Sequence, residues 1–360
     1  MKYFYISIIC IFIGASGFFL WPVFFPENKI EKLNFSMENL VPFADWQSKQ
    51  VVIAEEKQKV EDENKSVTLL AVGDVMLSRV VGEKMVAKKN YFYPFEKLAE
   101  VLNSTDLTFG NLESPIIAGL PVKTGSFSFR ADEVVGESLS KAGFDIVSLA
   151  NNHILNQGQK GIAKTVEVLE KNKIDFCGLA GINLTSKIIE KNGLKLVFLC
   201  YSYDGFAVLQ NNYGVNGLDI EKMKKDIEEI RTQVDFVVIS MHAGTEYAHT
   251  SGEVQQKFAH AGIDAGADLI IGHHPHVVQE MEKYKDKFIF YSLGNFIFDQ
   301  MWSEDTRQGA AIKINFTKNK LPQVLEYIPL YISDYSQPDL AVGAVKEAVF
   351  KDLGILATEQ

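Results

Sequence analysis

From Val67 onward, apolar runs alternate with segments in which apolar residues recur every three or four positions. Val67 to Leu77, Leu107 to Phe109, Asp145 to Ala150, Lys195 to Tyr201, Asp235 to Met241, Asp268 to Ile271 and Phe288 to Leu293 are rich in Val, Ile, Leu and Phe. Such continuous hydrophobicity predicts strands covered on both faces. Between them, Glu133 to Ala142, Gly161 to Lys171, Asp219 to Thr232 and Gly252 to Ala265 show helical spacing, as at Ile220, Met223, Ile227 and Ile230. This alternation predicts an α/β domain. Gly309 to Phe316 and Gln323 to Ile332 alternate like hairpin strands around Lys318-Asn319-Lys320, and the tail after Pro338 is expected to end in a short helix.

The N-terminus has a different pattern. Tyr3 to Phe25 carries no charge, and a helix needs roughly 20 apolar residues to cross a hydrocarbon core. Lys2 precedes the run and Glu27 follows it, so the positive-inside rule predicts a cytoplasmic N-terminus and an extracytoplasmic domain. Gly14-Ala15-Ser16-Gly17 also suits signal cleavage, but the apolar run continues to Phe25, which favours an uncleaved signal anchor. Residues 27–66, with Glu55-Glu56-Lys57 and Glu61-Asp62-Glu63, read as a charged stalk. The expected division is a transmembrane anchor at 1–26, this stalk, a folded domain at 67–335 and a C-terminal tail at 336–360.

Composition narrows the partners. A net charge of −10 over 360 residues argues against nucleic acid, whose phosphates require clustered Lys and Arg. Cys177 and Cys200 fall in strand-like runs and are expected as buried free thiols rather than a disulfide.

Six polar islands end the apolar runs: Gly73-Asp74, Asn111-Leu112-Glu113, Asn151-Asn152-His153, His242, His274-Pro275-His276 and Gly294-Asn295. In an open α/β sheet, strand ends converge on one crevice, and Asp, Glu, Asn and His are the mixed donors that Mn, Zn or Fe accept. Singly, each island also reads as a turn, a helix cap or a core histidine. Together they predict a site for one or two divalent metal ions. His249 and His260 lie outside this pattern and are expected on the surface.

Read in order, Gly73-Asp74-Val75-Met76-Leu77, Asn111-Leu112-Glu113, Ala150-Asn151-Asn152-His153, His242-Ala243-Gly244-Thr245-Glu246-Tyr247, Gly272-His273-His274-Pro275-His276 and Ser292 to Gln300 resemble the CapA family. That family is associated with synthesis and export of poly-γ-glutamate capsules and is related to calcineurin-like metallophosphatases. The resemblance runs from about Val67 to Phe316 and implies a four-layer α/β/β/α metallo-dependent phosphatase-like sandwich behind a membrane anchor. It places Asp74 and His276 on one metal, Asn152, His242 and His274 on the other, and Glu113 between them. It makes His153 the general acid and offers Arg79, Asn111, Glu246 and Asn295 for substrate contact. Two ions roughly 3.5 to 4 Å apart acidify water and stabilise charge on an attacked phosphoryl or carbonyl centre.

The implied activity is metal-dependent hydrolysis of poly-γ-glutamate or another anionic cell-surface polymer, beside membrane-embedded capsule synthesis and export proteins. An extracytoplasmic metallophosphoesterase and a non-catalytic assembly component are the alternatives. The chain departs from the wider phosphatase pattern at Met76, where Asp-x-His has an imidazole, at Glu113, where Asp is usual, and at Ala243, where the family carries an aromatic residue. A one-metal site is therefore also open.

Overall fold

The computed structural model describes residues 51–52, 65–119, 122–123, 125–181, 185–203 and 213–355. The chain divides at Gln58 into two compact units, and the elements below belong to the second, Lys59–Gln360. The apolar leader lies outside the described residues, among which no helix is long and apolar enough to cross a membrane.

The strands are β1 Ser66–Val75, β2 Leu107–Leu112, β3 Ile146–Ser148, β4 Asp175–Cys177, β5 Leu179–Gly181, β6 Ser186–Lys191, β7 Leu194–Ser202 and β8 Tyr213–Val215, followed by β9 Phe236–His242, β10 Leu269–His273, β11 Met281–Tyr284, β12 Lys287–Phe290, β13 Asn295–Ile297, β14 Gln308–Thr317, β15 Gln323–Ile332 and β16 Pro338–Leu340. The longer helices are α1 Arg79–Lys88, α2 Val135–Ala142, α3 Gly158–Lys171, α4 Ile220–Ile230, α5 Glu253–Ala265 and α6 Gly343–Asp352.

One sheet runs β16-β15-β14-β1-β2-β3-β4, with β13 also against β1. A second runs β11-β12-β10-β9-β7-β6, and β5 pairs with β8. In the first sheet β1 to β4 and β13 are parallel. The expected hairpin forms its antiparallel flank as β14 and β15. In the second sheet β7, β9, β10 and β12 are parallel and the edges β6 and β11 are antiparallel.

Side-chain parity shows how the sheets are covered. On β9, Phe236 and Val238 join the large core shared with the first sheet, whereas Val237, Ile239 and Met241 pack with Met223 and Ile227 of α4 and Phe258 and Ile263 of α5. On β7, Leu196, Phe198 and Cys200 face the shared core and Val197, Leu199 and Tyr201 face the helices. Phe109 of β2 stacks on Phe198 at 5.4 Å, and Phe236 meets Phe316 of β14 edge-on at 5.0 Å. The second sheet is thus buried on both faces, as its unbroken apolar strands require.

The expectation of free thiols is corrected. Cys177 of β4 and Cys200 of β7 form a disulfide with Cα atoms 5.5 Å apart. The pairing was hidden because two different sheets bring these residues together. The tail is also part of the fold: β16 pairs with β15, and Val349, Phe350 and Leu353 are buried in the core.

Candidate metal centre

The register of the parallel strands brings the polar islands together. Asp74 of β1 pairs with Asn111 of β2 and with Asn295 of β13, Asn111 with Ser148 of β3, and His242 of β9 with His273 of β10. Glu113 follows β2 directly, and the Asn151 to His153 turn begins three residues beyond the end of β3. Two glycines permit the close approach: a Cβ at Gly73 would lie 2.0 Å from the Gly294 carbonyl oxygen, and one at Gly272 would lie 1.9 Å from that of Tyr291.

Ligand atoms of Asp74, Glu113 and His242 all lie within 4.8 Å of one another, and all three residues are buried. Asn111 Nδ2 donates to Asp74 Oδ1 at 2.8 Å and lies 3.4 Å from Glu113 Oε2 and 3.2 Å from His242 Nδ1. Asn152 Oδ1 is 3.0 Å from His242 Nε2. His276 Nδ1 stands 3.4 Å from Asp74 Oδ2, and its Nε2 is 3.8 Å from Glu113 Oε1. The His274 ring centre is 4.8 Å from that of His242 and 6.0 Å from that of His276. All six ligand residues implied by the resemblance therefore surround one region. Four non-glycine residues around it hold positive φ: Arg79 at 48°, Tyr247 at 66°, His274 at 101° and His276 at 60°. Backbone strain of this kind costs on the order of 1–3 kcal/mol each and clusters at functional sites.

The electrostatics fit a cation. Burial raises the Glu113 carboxyl, and the Asp74 charge beside it adds to the rise, so it sits well above the usual carboxylate range. Burial also works to raise Asp74, but the His273 and His276 imidazoles beside it prevail and hold it well below. Burial, then the neighbouring His274, pushes His242 far down, and burial and His276 bring His274 to about 3. His242 and His274 are thus neutral donors, as metal ligation requires. Glu113 Oε1 and His274 Nδ1 are buried without a hydrogen-bond partner, a condition that bound ions commonly resolve. Asp74, Glu113, Asn152, His242, His274 and His276 are the residues that would hold one or two divalent ions.

The remaining predicted residues divide by location. The His153 ring stacks on Phe129 at 3.8 Å, and its Nε2 lies 3.8 Å from Glu113 Oε1. Asn156 Oδ1 accepts from the Phe129 backbone N–H at 2.6 Å and faces His153 Nδ1 at 2.9 Å, so the proton of the neutral ring belongs on Nδ1. Burial lowers His153 to about 4. Near pH 7 the ring is therefore neutral and its Nε2 is free to exchange a proton with a group bound beside it.

The four residues offered for substrate contact lie in different surroundings. Asn111 is enclosed among the ligands. Asn295 is buried, bonded to His276 Nδ1 at 3.1 Å, Gln300 Oε1 at 3.0 Å and the Thr306 carbonyl at 2.8 Å, and positions His276. Arg79 is held by both oxygens of Asp299 and lies 4.8 Å over Phe129. Glu246 is exposed, and its charge reaches Glu113 and Tyr247.

Sequence reading missed His273, whose Nδ1 is 3.5 Å from Asp74 Oδ1, because its neighbours carry the H-x-H spacing. It also missed Asn156, Phe129 and the exposed rim: Tyr203 lies 4.6 Å from His274, and Tyr247 lies 5.8 Å from Trp302. Tyr203, Tyr247 and Trp302 lie far apart along the chain, and nothing in the sequence shows that they are exposed or beside the histidines. His249 is exposed as expected, beside Asp305 and Asp352, whereas His260 is half-buried on Tyr284 and Glu282.

Residues 68–300 match the family model described as bacterial capsule synthesis protein PGA_cap. The chain is 30% identical over 325 residues to the capsule biosynthesis protein CapA of Bacillus anthracis, covering 86% of this chain and 77% of that protein. It is 34% identical over 258 residues to the PGA biosynthesis protein CapA of Bacillus subtilis, covering 69% of this chain and 67% of that protein. Among solved structures, a novel phosphatase from Mycoplasma pneumoniae aligns at a TM-score of 0.49 with 16% identity, covering 74% of this chain and 93% of that one.

Proposed function

This chain belongs to the bacterial capsule synthesis protein family PGA_cap, and from that premise we propose that it is a divalent-metal-dependent hydrolase of a capsule polymer. Poly-γ-glutamate or a related anionic polymer is the substrate class we favour, within a four-layer metallophosphatase-like domain. The observation that carries this reading is the buried convergence of Asp74, Glu113 and His242 within 4.8 Å, beside His153. A divalent ion bound there supplies Lewis acidity and an acidified water. The chain's own groups do the rest. His153 Nε2 takes up and returns a proton at the reacting group while Asn156 keeps the second ring proton on Nδ1. Phe129 and Asn156 fix the ring, and Tyr203, Tyr247, Trp302 and Glu246 flank the approach.

A second reading, an assembly or export component without turnover, is favoured by Met76. That residue offers no hard-metal donor, and its sulfur faces the Ser78 N–H at 3.0 Å. Metal-loaded protein incubated with poly-γ-glutamate and with a generic phosphodiester, read by mass spectrometry, separates the readings. Shortened polymer is expected. Cleavage of the phosphodiester alone indicates a phosphoesterase, and metal binding with neither product indicates assembly.

We place the domain outside the cell, held by the apolar run at 3–25. The Cys177–Cys200 disulfide supports this, since disulfides persist in oxidising compartments. N-terminal sequencing of the cellular protein should begin near Met1, and a start after Gly17 would exclude the anchor.

A further inference from the structure

We infer that His273 is a positioning residue that orients Asp74, a role which rests on the metal-binding reading above. Parity on β10 points Leu269 and Ile271 into the layer between the sheets, and His273, two positions on, follows them. Gly272, facing the other way, has no room for a side chain against Tyr291. The chain then leaves strand geometry at His274, with φ of 101°, so the two adjacent histidines diverge. His273 is wholly buried, its ring centre is 6.0 Å from that of Phe109, and neither ring nitrogen has a formal hydrogen-bond partner. Nδ1 nevertheless stands 3.5 Å from Asp74 Oδ1, just outside good hydrogen-bond geometry.

A bare Nδ1 lone pair facing a carboxylate oxygen would be repelled, so the Nδ1–H tautomer, which donates towards Oδ1, is the one this contact selects. Asn111 donates to that same oxygen, and the His274 backbone N–H donates to Oδ2 at 3.2 Å. Asp74 is therefore approached by donors from both sheets. His273 is not itself in the group whose ligand atoms converge. Its part is to set the angle of a carboxylate that would hold the ion together with Glu113 and His242. Groups that hydrogen-bond metal ligands commonly alter affinity by about 10–100-fold.

The test is Mn²⁺ binding to the full chain by calorimetry, comparing His273→Asn, His273→Gln and His273→Leu. The Asn amide nitrogen falls where Nδ1 was, whereas the Gln amide reaches towards the Nε2 position. His273→Asn should bind Mn²⁺ within about threefold of the wild type, and His273→Gln and His273→Leu should lose tenfold or more. A double substitution with Asp74→Asn should show less than additive loss, which a merely structural histidine would not produce. Equal affinity in all three variants would overturn the role of His273 and leave the metal reading intact. Absence of Mn²⁺ binding by the wild type would overturn both.

Discussion

The chemistry at residue scale turns on which proton sits where. The Asn156 amide orientation is set by the Phe129 N–H, and this fixes the His153 tautomer. An Asp at position 156 would add a negative charge at 2.9 Å and raise His153 from about 4 towards its ordinary 6.5. Because the folded value is depressed, the unfolded chain binds a proton that the folded chain refuses between these two values. The stability this ring contributes is present above pH 6.5 and is lost as pH falls through about 4. Asn156→Asp should therefore shift the NMR titration of His153 upward and reduce acid destabilisation near pH 5. An unmoved titration would show that Asn156 does not govern the ring. Such detail was partly legible: the residue types announced metal chemistry, but the roles of His273, Asn295 and Arg79 depended on side-chain directions. Alternation fails as a guide where His274 and His276 take positive φ.

At the scale of elements, the strands that carry the site are those the apolar pattern predicts, because burial on both faces demands uninterrupted hydrophobicity. Short or one-sided strands were not legible. Burial along β6 is only partial, and β11, with Met281, Glu282, Lys283 and Tyr284, mixes polar and apolar residues at an edge. The helix starts were close: Asp219 caps α4 by accepting from the Glu221 and Lys222 N–H groups at 2.9 and 3.0 Å rather than opening its first turn. Gly272 is where element geometry and site meet. Gly272→Ala would drive a methyl group into the Tyr291 carbonyl and separate β10 from the strand leading to Tyr291. A loss of roughly 2–4 kcal/mol, in the range of overpacking and strained backbone, is expected. Urea denaturation reads it directly, and wild-type stability would refute the tight approach.

For the whole molecule, two sheets with a shared apolar interior bring strand ends from both into one polar region, and the Cys177–Cys200 bridge joins them near mid-chain. The link closes a loop of 23 residues, a length for which a disulfide typically contributes about 3 kcal/mol. The α/β class and the capsule-family motifs were legible in the sequence because each is local along the chain. The bridge and the shared centre were not, since both arise only when the sheets close on each other. The centre itself carries an internal tension: its two buried carboxyls are pushed in opposite directions, Asp74 below and Glu113 above the usual carboxylate range, and a bound cation would favour ionisation of both. Metal content of the purified protein, measured beside Glu113→Gln, tests this most directly. At least about one Mn or Zn per wild-type chain is expected, with a metal-depleted variant of unchanged fold. Wild-type protein that stays metal-free after loading, or a variant that retains the same content, would contradict it.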